Sequence, residues 1–145
     1  MLFRSFKFRQ PKRQRTAVPL RVERNLPVVR ATLNGAGPFN FLLDTGVAIS
    51  LITNPKLADS LHLTHGAQFR VVGAGREATG LLAYQADGVR VELGPNVVAP
   101  ALTWLVLSDD VLNLSGYVGM PIAGILGSEL FRSSEPRMPA MGIPT

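Results

Sequence analysis

The chain has 145 residues, of which 46% are hydrophobic and 17% charged, a composition that suits one globular domain rather than two. It contains no cysteine, which excludes disulfides, thiolate metal sites and a cysteine nucleophile but leaves the cellular compartment open. The 14 Gly and 11 Pro predict short elements separated by frequent turns, which favours an all-β architecture. No run of about 18 apolar residues occurs, so we expect no transmembrane segment.

The net charge of +5 is concentrated near the N-terminus. Residues 1–24 hold eight Lys or Arg and one Glu, a net +7, whereas the remainder holds seven basic and nine acidic residues, a net −2. Because the body is near neutral, we expect no nucleic-acid partner. We interpret residues 1–16, which are basic and aperiodic, as a disordered arm; a misassigned start or the remnant of a targeting segment are alternatives.

The first predicted elements are strands that lead to an aspartate. Alternating apolar and polar residues predict two strands within 17–33. The dipeptide Asn34-Gly35 predicts a hairpin after them, and we expect the "GAGP" sequence to lengthen its turn. The apolar, aromatic run Phe39–Leu43 predicts an inner strand that ends directly before Asp44.

The later elements are mostly strands as well. "VAISLIT" predicts a short β segment, and Asn54 and Pro55 predict the N-cap and first residue of a short helix. "AQFRVVGAGREATGLLAYQADGVRVELG" is β-like on both sides of a Gly-rich centre, and "VVAPALTWLVLSD" predicts a further strand. "LSGYVGMPIAGILGSELF" closes the globular part, with a helix starting at Ser128 after Gly127. Residues 132–145 carry three prolines and no periodicity, which predicts an irregular tail.

The tripeptide Asp44-Thr45-Gly46 is the candidate chemical site. A carboxylate placed directly after a buried apolar strand is costly unless it is paired or functional. The Thr45 hydroxyl can hydrogen-bond to backbone across a tight contact, and Gly46 lets the chain turn with no Cβ in the way of a ligand. The tripeptide alone is a weak signal, because a solvated turn aspartate before a glycine would also explain it.

The context of the tripeptide resembles a known family. "GPFNFLLDTGVAISLIT" resembles the active-site strand-loop-strand of retropepsin-like aspartyl proteases of bacterial type. Further on, "AGILGSELF" resembles their second signature, in which Ile125, Leu126 and Gly127 would pack beneath the active-site loop and support it. Between the two, "VVGAGREATG" lies where the family keeps its flap hairpin. The resemblance spans residues 25–131 and implies an all-β, retropepsin-like acid protease barrel with one short helix after the Ile-Leu-Gly motif.

The resemblance implies an aspartic endopeptidase, in which water activated between two Asp carboxylates hydrolyses a peptide bond. Since the sequence has one such motif, the second carboxylate would come from another copy, in a homodimer with catalytic Asp44 from each subunit. Thr45 and Gly46 would form the active-site loop and dimer contact, and Val47 and Ala48 the floor of the substrate site. The implied partner is a peptide or protein substrate, with no metal and no cofactor.

Three features leave alternatives open. The flap residues implied by the resemblance are Gly73, Ala74 and Gly75, but an ordinary hairpin or bulge is an equal alternative. The family usually has Ala or Ser where this sequence has Val47, whose β-branched side chain would narrow the substrate floor. Family members usually continue into further strands, whereas residues 132–145 do not, so we expect a truncated or altered C-terminus. The rival hypothesis is a non-catalytic, monomeric remnant of the same fold that acts as a binding module.

We therefore divide the chain into a basic disordered arm (1–16), a retropepsin-like aspartic protease domain (17–131) and an irregular tail (132–145). His62 and His65 have no third ligand near them in sequence, so they are expected to be surface or cap residues rather than metal ligands. The serines lack a Gly-x-Ser-x-Gly setting, which argues against serine hydrolysis. Trp104 and Phe41 are expected to belong to the core rather than to serve as platforms for a ligand.

Overall fold

The computed structural model describes residues 7–10, 12, 15–72 and 80–131; the predicted tail lies outside them. The elements in chain order are β1 (Lys7–Phe8), β2 (Leu20–Glu23), β3 (Leu26–Leu33), β4 (Ala36–Leu43), β5 (Leu51–Ile52), α1 (Pro55–Ser60), β6 (Gln68–Val71), β7 (Leu81–Leu93), β8 (Val97–Leu107), α2 (Leu114–Val118), β9 (Gly124–Leu126) and a 3₁₀ helix (Ser128–Phe131). Strands dominate, which confirms the predicted all-β class. None of the helices in these ranges has the length and apolar character needed to span a membrane.

The main strands pair into a closed ring. Hydrogen bonding runs in the order β8-β5-β9-β4-β3-β7, and β7 then pairs with β8 again. Closure is possible because β7 and β8 are long, at 13 and 11 residues, and contact different neighbours along their lengths. A closed ring satisfies the backbone groups on both edges of its strands. The short strands β1, β2 and β6 pair with β8, β3 and β7, respectively.

The inside of this ring holds the larger hydrophobic core. In β3, Val29, Ala31 and Leu33 are buried at alternate positions, as the period of a strand requires. Phe41 and Trp104 are fully buried, with ring centroids 5.3 Å apart and planes tilted by 49°. The prediction that the large aromatic residues belong to the core is confirmed for these two.

A second, smaller cluster covers the opposite face of β3, β4, β5 and β9. Its buried members are Val28, Leu42, Leu51, Val118, Ile122 and Ile125. Phe41 and Leu42 are adjacent in β4 yet belong to different clusters, because successive side chains of a strand point to opposite faces. The end of β4 is therefore buried on both faces, which explains the apolar residues Phe41–Leu43 directly before Asp44.

The turn between β3 and β4 is shorter than expected. Asn34 and Gly35 have φ values of 49° and 79°, the left-handed conformation that a two-residue hairpin turn requires. Leu33 pairs directly with Ala36, so β4 begins at once. The prediction that the next residues lengthen this turn is wrong, because two residues with positive φ already reverse the chain.

The helices divide into expected and unexpected ones. The Asn54 side chain accepts a hydrogen bond from Lys56 N–H at 3.0 Å, which confirms the predicted cap of α1. The helix expected after Gly127 is a 3₁₀ helix in the structure. α2 was not predicted, since its sequence contains a glycine and is followed by another. It forms because Leu114 and Val118 pack against the second cluster.

Part of the segment expected to be disordered contacts the barrel. Lys7–Phe8 pairs antiparallel with β8, and the Phe8 side chain packs against the larger core. Arg9 forms an ion pair with Glu92, which also accepts a hydrogen bond from Arg90 Nε at 3.1 Å. The structure differs from the expected disorder at these positions because an aromatic ring and a charge have partners on β7 and β8. The domain boundaries themselves remain a prediction.

Replacing Glu92 with Gln tests this attachment. The hydrogen bond from Arg90, and then the charge of Arg9, lower the pKa of Glu92 below its ordinary value of 4.5. The carboxylate therefore stabilises the folded protein above pH 4.5, and this contribution is lost as the pH falls through the folded-state pKa. We expect the variant to lose roughly 0.5 kcal/mol of unfolding free energy at neutral pH.

The measurement is urea denaturation of the wild-type and Glu92→Gln proteins from neutral pH to below pH 4.5. The difference in unfolding free energy should shrink towards acid and should also shrink in about 1 M salt, where such pairs are screened. A difference that is independent of pH would contradict the ion-pair explanation.

Candidate active site

The loop that joins β4 to β5, residues 44–50, is the Asp44 loop. Asp44 N–H donates to Leu126 C=O at 2.9 Å, which continues the pairing of β4 with β9. Val47 N–H donates to Asp44 C=O at 3.2 Å, and Gly46 N–H donates to the Asp44 carboxylate at 2.8 Å. The backbone of Asp44 is thus fixed by β9, and its side chain by the turn that follows it.

The Asp44 carboxylate is exposed, although Phe41 and Leu42 shortly before it are buried on opposite faces of β4. No Lys or Arg in the part of the chain that the structure describes forms an ion pair with it. Thr45 and Ala48 are exposed beside it, whereas Val47 is half-buried against the second cluster. Ile49, which was not singled out from the sequence, is 41% exposed at the same loop. Among the described residues, the Asp44 carboxylate is therefore left without an ion-pair partner, beside the exposed Thr45, Ala48 and Ile49.

β9 lies between β4 and β5, the two strands that flank the Asp44 loop. It runs parallel to β4 and antiparallel to β5, and Ile125 pairs with residues of both. A Cβ atom at Gly127 would lie 2.4 Å from the Val47 carbonyl oxygen, and one at Gly124 would lie 1.9 Å from the Leu51 carbonyl oxygen. The segment predicted to support the loop is therefore in direct contact with it, at a distance that only glycine allows.

Two side chains that were not singled out from the sequence, Ser50 at the end of the loop and Glu129 behind it, make long-range hydrogen bonds here. Ser50 is fully buried, and its hydroxyl accepts a hydrogen bond from Gly127 N–H at 3.0 Å. Ser50 N–H donates to Glu129 Oε1 at 2.8 Å, and Ser128 N–H donates to Val47 C=O at 2.7 Å. The two side-chain contacts join residues 77 and 79 positions apart, so no local pattern in the sequence marks them.

The predicted flap falls only partly within the described residues. β6 and β7 form an antiparallel hairpin stem in which Val71 pairs with Leu81. Gly73, Ala74 and Gly75 lie outside the part that the structure describes. Their role as a flap therefore stays a prediction.

The described contacts of His65 are with residues outside the Asp44 loop. His65 stacks on Tyr84, with ring centroids 3.9 Å apart, and its Nε2 atom lies 3.7 Å from Asp59 Oδ1. Burial, and then the negative charge of Asp59, raise the pKa of the Tyr84 hydroxyl. Within residues 7–72 and 80–131, as far as they are described, no group of three or more His, Cys, Asp or Glu is arranged to hold a metal ion.

Comparison with known proteins identifies the family. The model of the aspartyl protease family matches residues 29–130, a range that contains Asp44 and β9. The chain belongs to the aspartyl protease family. A retropepsin-like aspartic protease from Rickettsia conorii has a similar structure, with a TM-score of 0.52 and 15% identity over 87% of this chain and 80% of that one. This likeness confirms the retropepsin-like barrel that the sequence predicted.

EIAV protease complexed with the inhibitor HBY-793 is a further similar structure, with a TM-score of 0.47 and 21% identity over 74% of this chain and 86% of that one. No curated protein matches the chain. The region that matches the aspartyl protease family includes the Ile-Leu-Gly segment as well as the Asp44 loop, so the match covers both signatures.

Gly127→Ala tests the contact between the loop and the segment after β9. The added Cβ would lie 2.4 Å from the Val47 carbonyl oxygen and 3.3 Å from the Ile49 carbonyl carbon, both of which are backbone atoms that cannot rotate away. We expect a loss of about 1–3 kcal/mol of unfolding free energy, as overpacked sites show. Chemical denaturation measures it, and an unchanged midpoint and slope would show that the loop is not held at this distance.

Proposed function

We propose that this chain is an aspartic endopeptidase whose active site forms from two copies of Asp44, one from each subunit of a homodimer. The observation that carries the proposal is the exposed Asp44 carboxylate, which accepts from Gly46 N–H on a backbone held by β9 and has no basic partner among the described residues. Membership of the aspartyl protease family supports a peptide or protein as the substrate. Because one chain carries one such motif, the second carboxylate has to come from a second copy.

The chemistry follows from bringing two carboxylates together. Like charges a few ångströms apart cannot both ionise, so the pair holds one proton between them. The ionised carboxylate takes a proton from a water molecule, whose oxygen attacks the carbonyl carbon of the peptide bond. The protonated carboxyl donates a hydrogen bond to the carbonyl oxygen and polarises it. The tetrahedral intermediate then collapses and the C–N bond breaks; the leaving amine takes the proton that the first carboxylate had removed from water, so the pair again holds one proton.

The neighbouring residues have complementary roles in this proposal. The exposed Thr45 hydroxyl hydrogen-bonds to the backbone of the partner's loop and holds the two loops together. Gly46 keeps the space beside the carboxylate open, since a Cβ there would lie 3.1 Å from Asp44 Oδ1. Val47 and Ala48 form the floor on which the substrate lies. The tip of the hairpin formed by β6 and β7 closes over the substrate as a flap.

Asp44→Asn tests the assignment of the catalytic group. The amide is similar in shape to the carboxylate but cannot accept the proton of the attacking water, so we expect peptidase activity to fall by roughly 10²–10⁴-fold or more. Asp59→Asn is the matched control, since it makes the same chemical change at an exposed position on α1. Near-UV circular dichroism should show both variants folded. Full activity in the Asp44→Asn variant would exclude the mechanism.

Subunit mixing tests the two-copy site independently. Wild-type chain is mixed and equilibrated with an excess of the Asp44→Asn variant at constant total concentration. If both carboxylates of a dimer are required, activity falls with the square of the wild-type fraction, because mixed dimers are inactive. A linear fall would mean that one chain acts alone. A chain that sediments as a monomer and shows no activity would favour the rival function, a non-catalytic binding module.

A further inference from the structure

We propose that Ser50 and Glu129 are positioning residues that hold the Asp44 loop, and with it the catalytic carboxylate, by a hydrogen-bonded relay behind the loop. The relay runs from the Glu129 carboxylate to Ser50 N–H, and from the Ser50 hydroxyl to Gly127 N–H. This inference rests on the proposed function, since a carboxylate needs precise placement only where it takes part in catalysis.

The Asp44 loop is anchored at its two ends. Its first residue is held by the bond from Asp44 N–H to Leu126 C=O. Its last residue, Ser50, uses its N–H, its hydroxyl and its carbonyl, the last of which accepts from Leu105 N–H at 3.0 Å. Ser50 is fully buried, so water cannot replace a partner that is lost. The position of the exposed residues between the two ends therefore depends on both anchors.

Glu129 is an acidic residue whose side chain bonds to the backbone of the Asp44 loop. It is half-buried, and no Lys or Arg of the described ranges lies within ion-pair distance of it. Its carboxylate instead accepts a backbone N–H, a charge-assisted bond that is shorter and stronger than a neutral one. A glutamate needed only for solubility would extend into water. This one is directed at the final residue of the catalytic loop.

The relay is parallel to a second contact between the same segments. Ser128 N–H donates to Val47 C=O at 2.7 Å, and Gly127 lies too close to that carbonyl for any other residue. Residues 127–129 therefore hydrogen-bond to the loop at Val47 and again at Ser50. Loss of the hydrogen bonds at Ser50 would leave the loop attached at Val47 but free to shift at its end, which would misplace the Asp44 carboxylate without removing it.

The kinetic signature of such a shift is specific. Catalysis falls steeply when a reacting group is displaced by a small distance, whereas the contacts that bind the substrate are retained. We expect removal of the relay to lower kcat about 10–100-fold with KM changed less than about threefold. If the relay only stabilised the fold, its removal would lower the fraction of active protein, and kcat measured per titrated active site would be unchanged.

The Glu129 variants distinguish loss of the hydrogen-bond acceptor from a change in the shape of the side chain. Glu129→Gln keeps an oxygen that can accept from Ser50 N–H, and Glu129→Met has similar length with no such oxygen. We expect Gln to retain kcat within about fivefold and Met to lose about 10–100-fold, measured per titrated active site. Equal kcat in the wild-type and Met proteins would overturn the proposal, as would a loss in Met matched by an equal loss in Gln.

The Ser50 variants apply the same comparison at the other member of the relay. Thr and Val differ by a hydroxyl and a methyl group of nearly equal size, so the pair Ser50→Thr and Ser50→Val cancels the cost of the added volume. We expect kcat of the Thr variant to exceed that of the Val variant about tenfold or more, because only Thr can accept from Gly127 N–H. Equal values would contradict the role of the hydroxyl.

Hydrogen exchange measures how firmly the Asp44 loop is held, and it does not depend on catalytic activity. In Glu129→Met, backbone exchange in a peptide that covers 44–51 should accelerate about tenfold, while peptides from β7 and β8 exchange as in the wild type. Unchanged exchange at 44–51 would overturn the inference even if the protease is active. A wild-type protein that shows this protection but cleaves no peptide would instead refute the proposed function, so the two failures can be told apart.

Discussion

The insertion of β9 between β4 and β5 is the constraint on which the site depends. β4 delivers Asp44 at its end and β5 receives the chain after the turn, and β9 hydrogen-bonds to both. Its first residue, Gly124, and the residue after it, Gly127, permit this arrangement, because a Cβ at either would overlap the backbone of β5 or of the loop. The loop therefore cannot be considered a surface connection, since it rests on a strand from a distant part of the chain.

The local features were predictable because each has a short-range physical cause. Asn34-Gly35 marks a hairpin turn through its positive φ values, and Asn54 marks a helix start through one side-chain bond. The apolar, aromatic run Phe39–Leu43 predicted an inner strand, and the burial of Phe41 and Leu42 in the two core clusters agrees with it. The turn length was misjudged because Gly37 and Pro38 look like turn residues yet lie within β4.

The contacts behind the Asp44 loop could not be predicted, because their cause is long-range. Ser50 is an ordinary serine in sequence and Glu129 an ordinary residue at the start of a helix; their relation exists only after β9 brings the two segments together. The same holds for α2, whose glycines disfavour a helix until Leu114 and Val118 find the second cluster. The motif located the Asp44 loop, but the groups that hydrogen-bond behind it carry no motif.

The proposed dimer gives a physical reason for so firm an attachment. Two carboxylates brought within a few ångströms repel each other unless a proton is shared, and that repulsion acts on the loops that carry them. A loop held only at Asp44 could relieve the repulsion by moving apart, which would destroy the shared-proton geometry. Anchoring at Val47 and at Ser50 prevents this movement, so the protein resists the repulsion with bonds made at a distance from the reacting atoms.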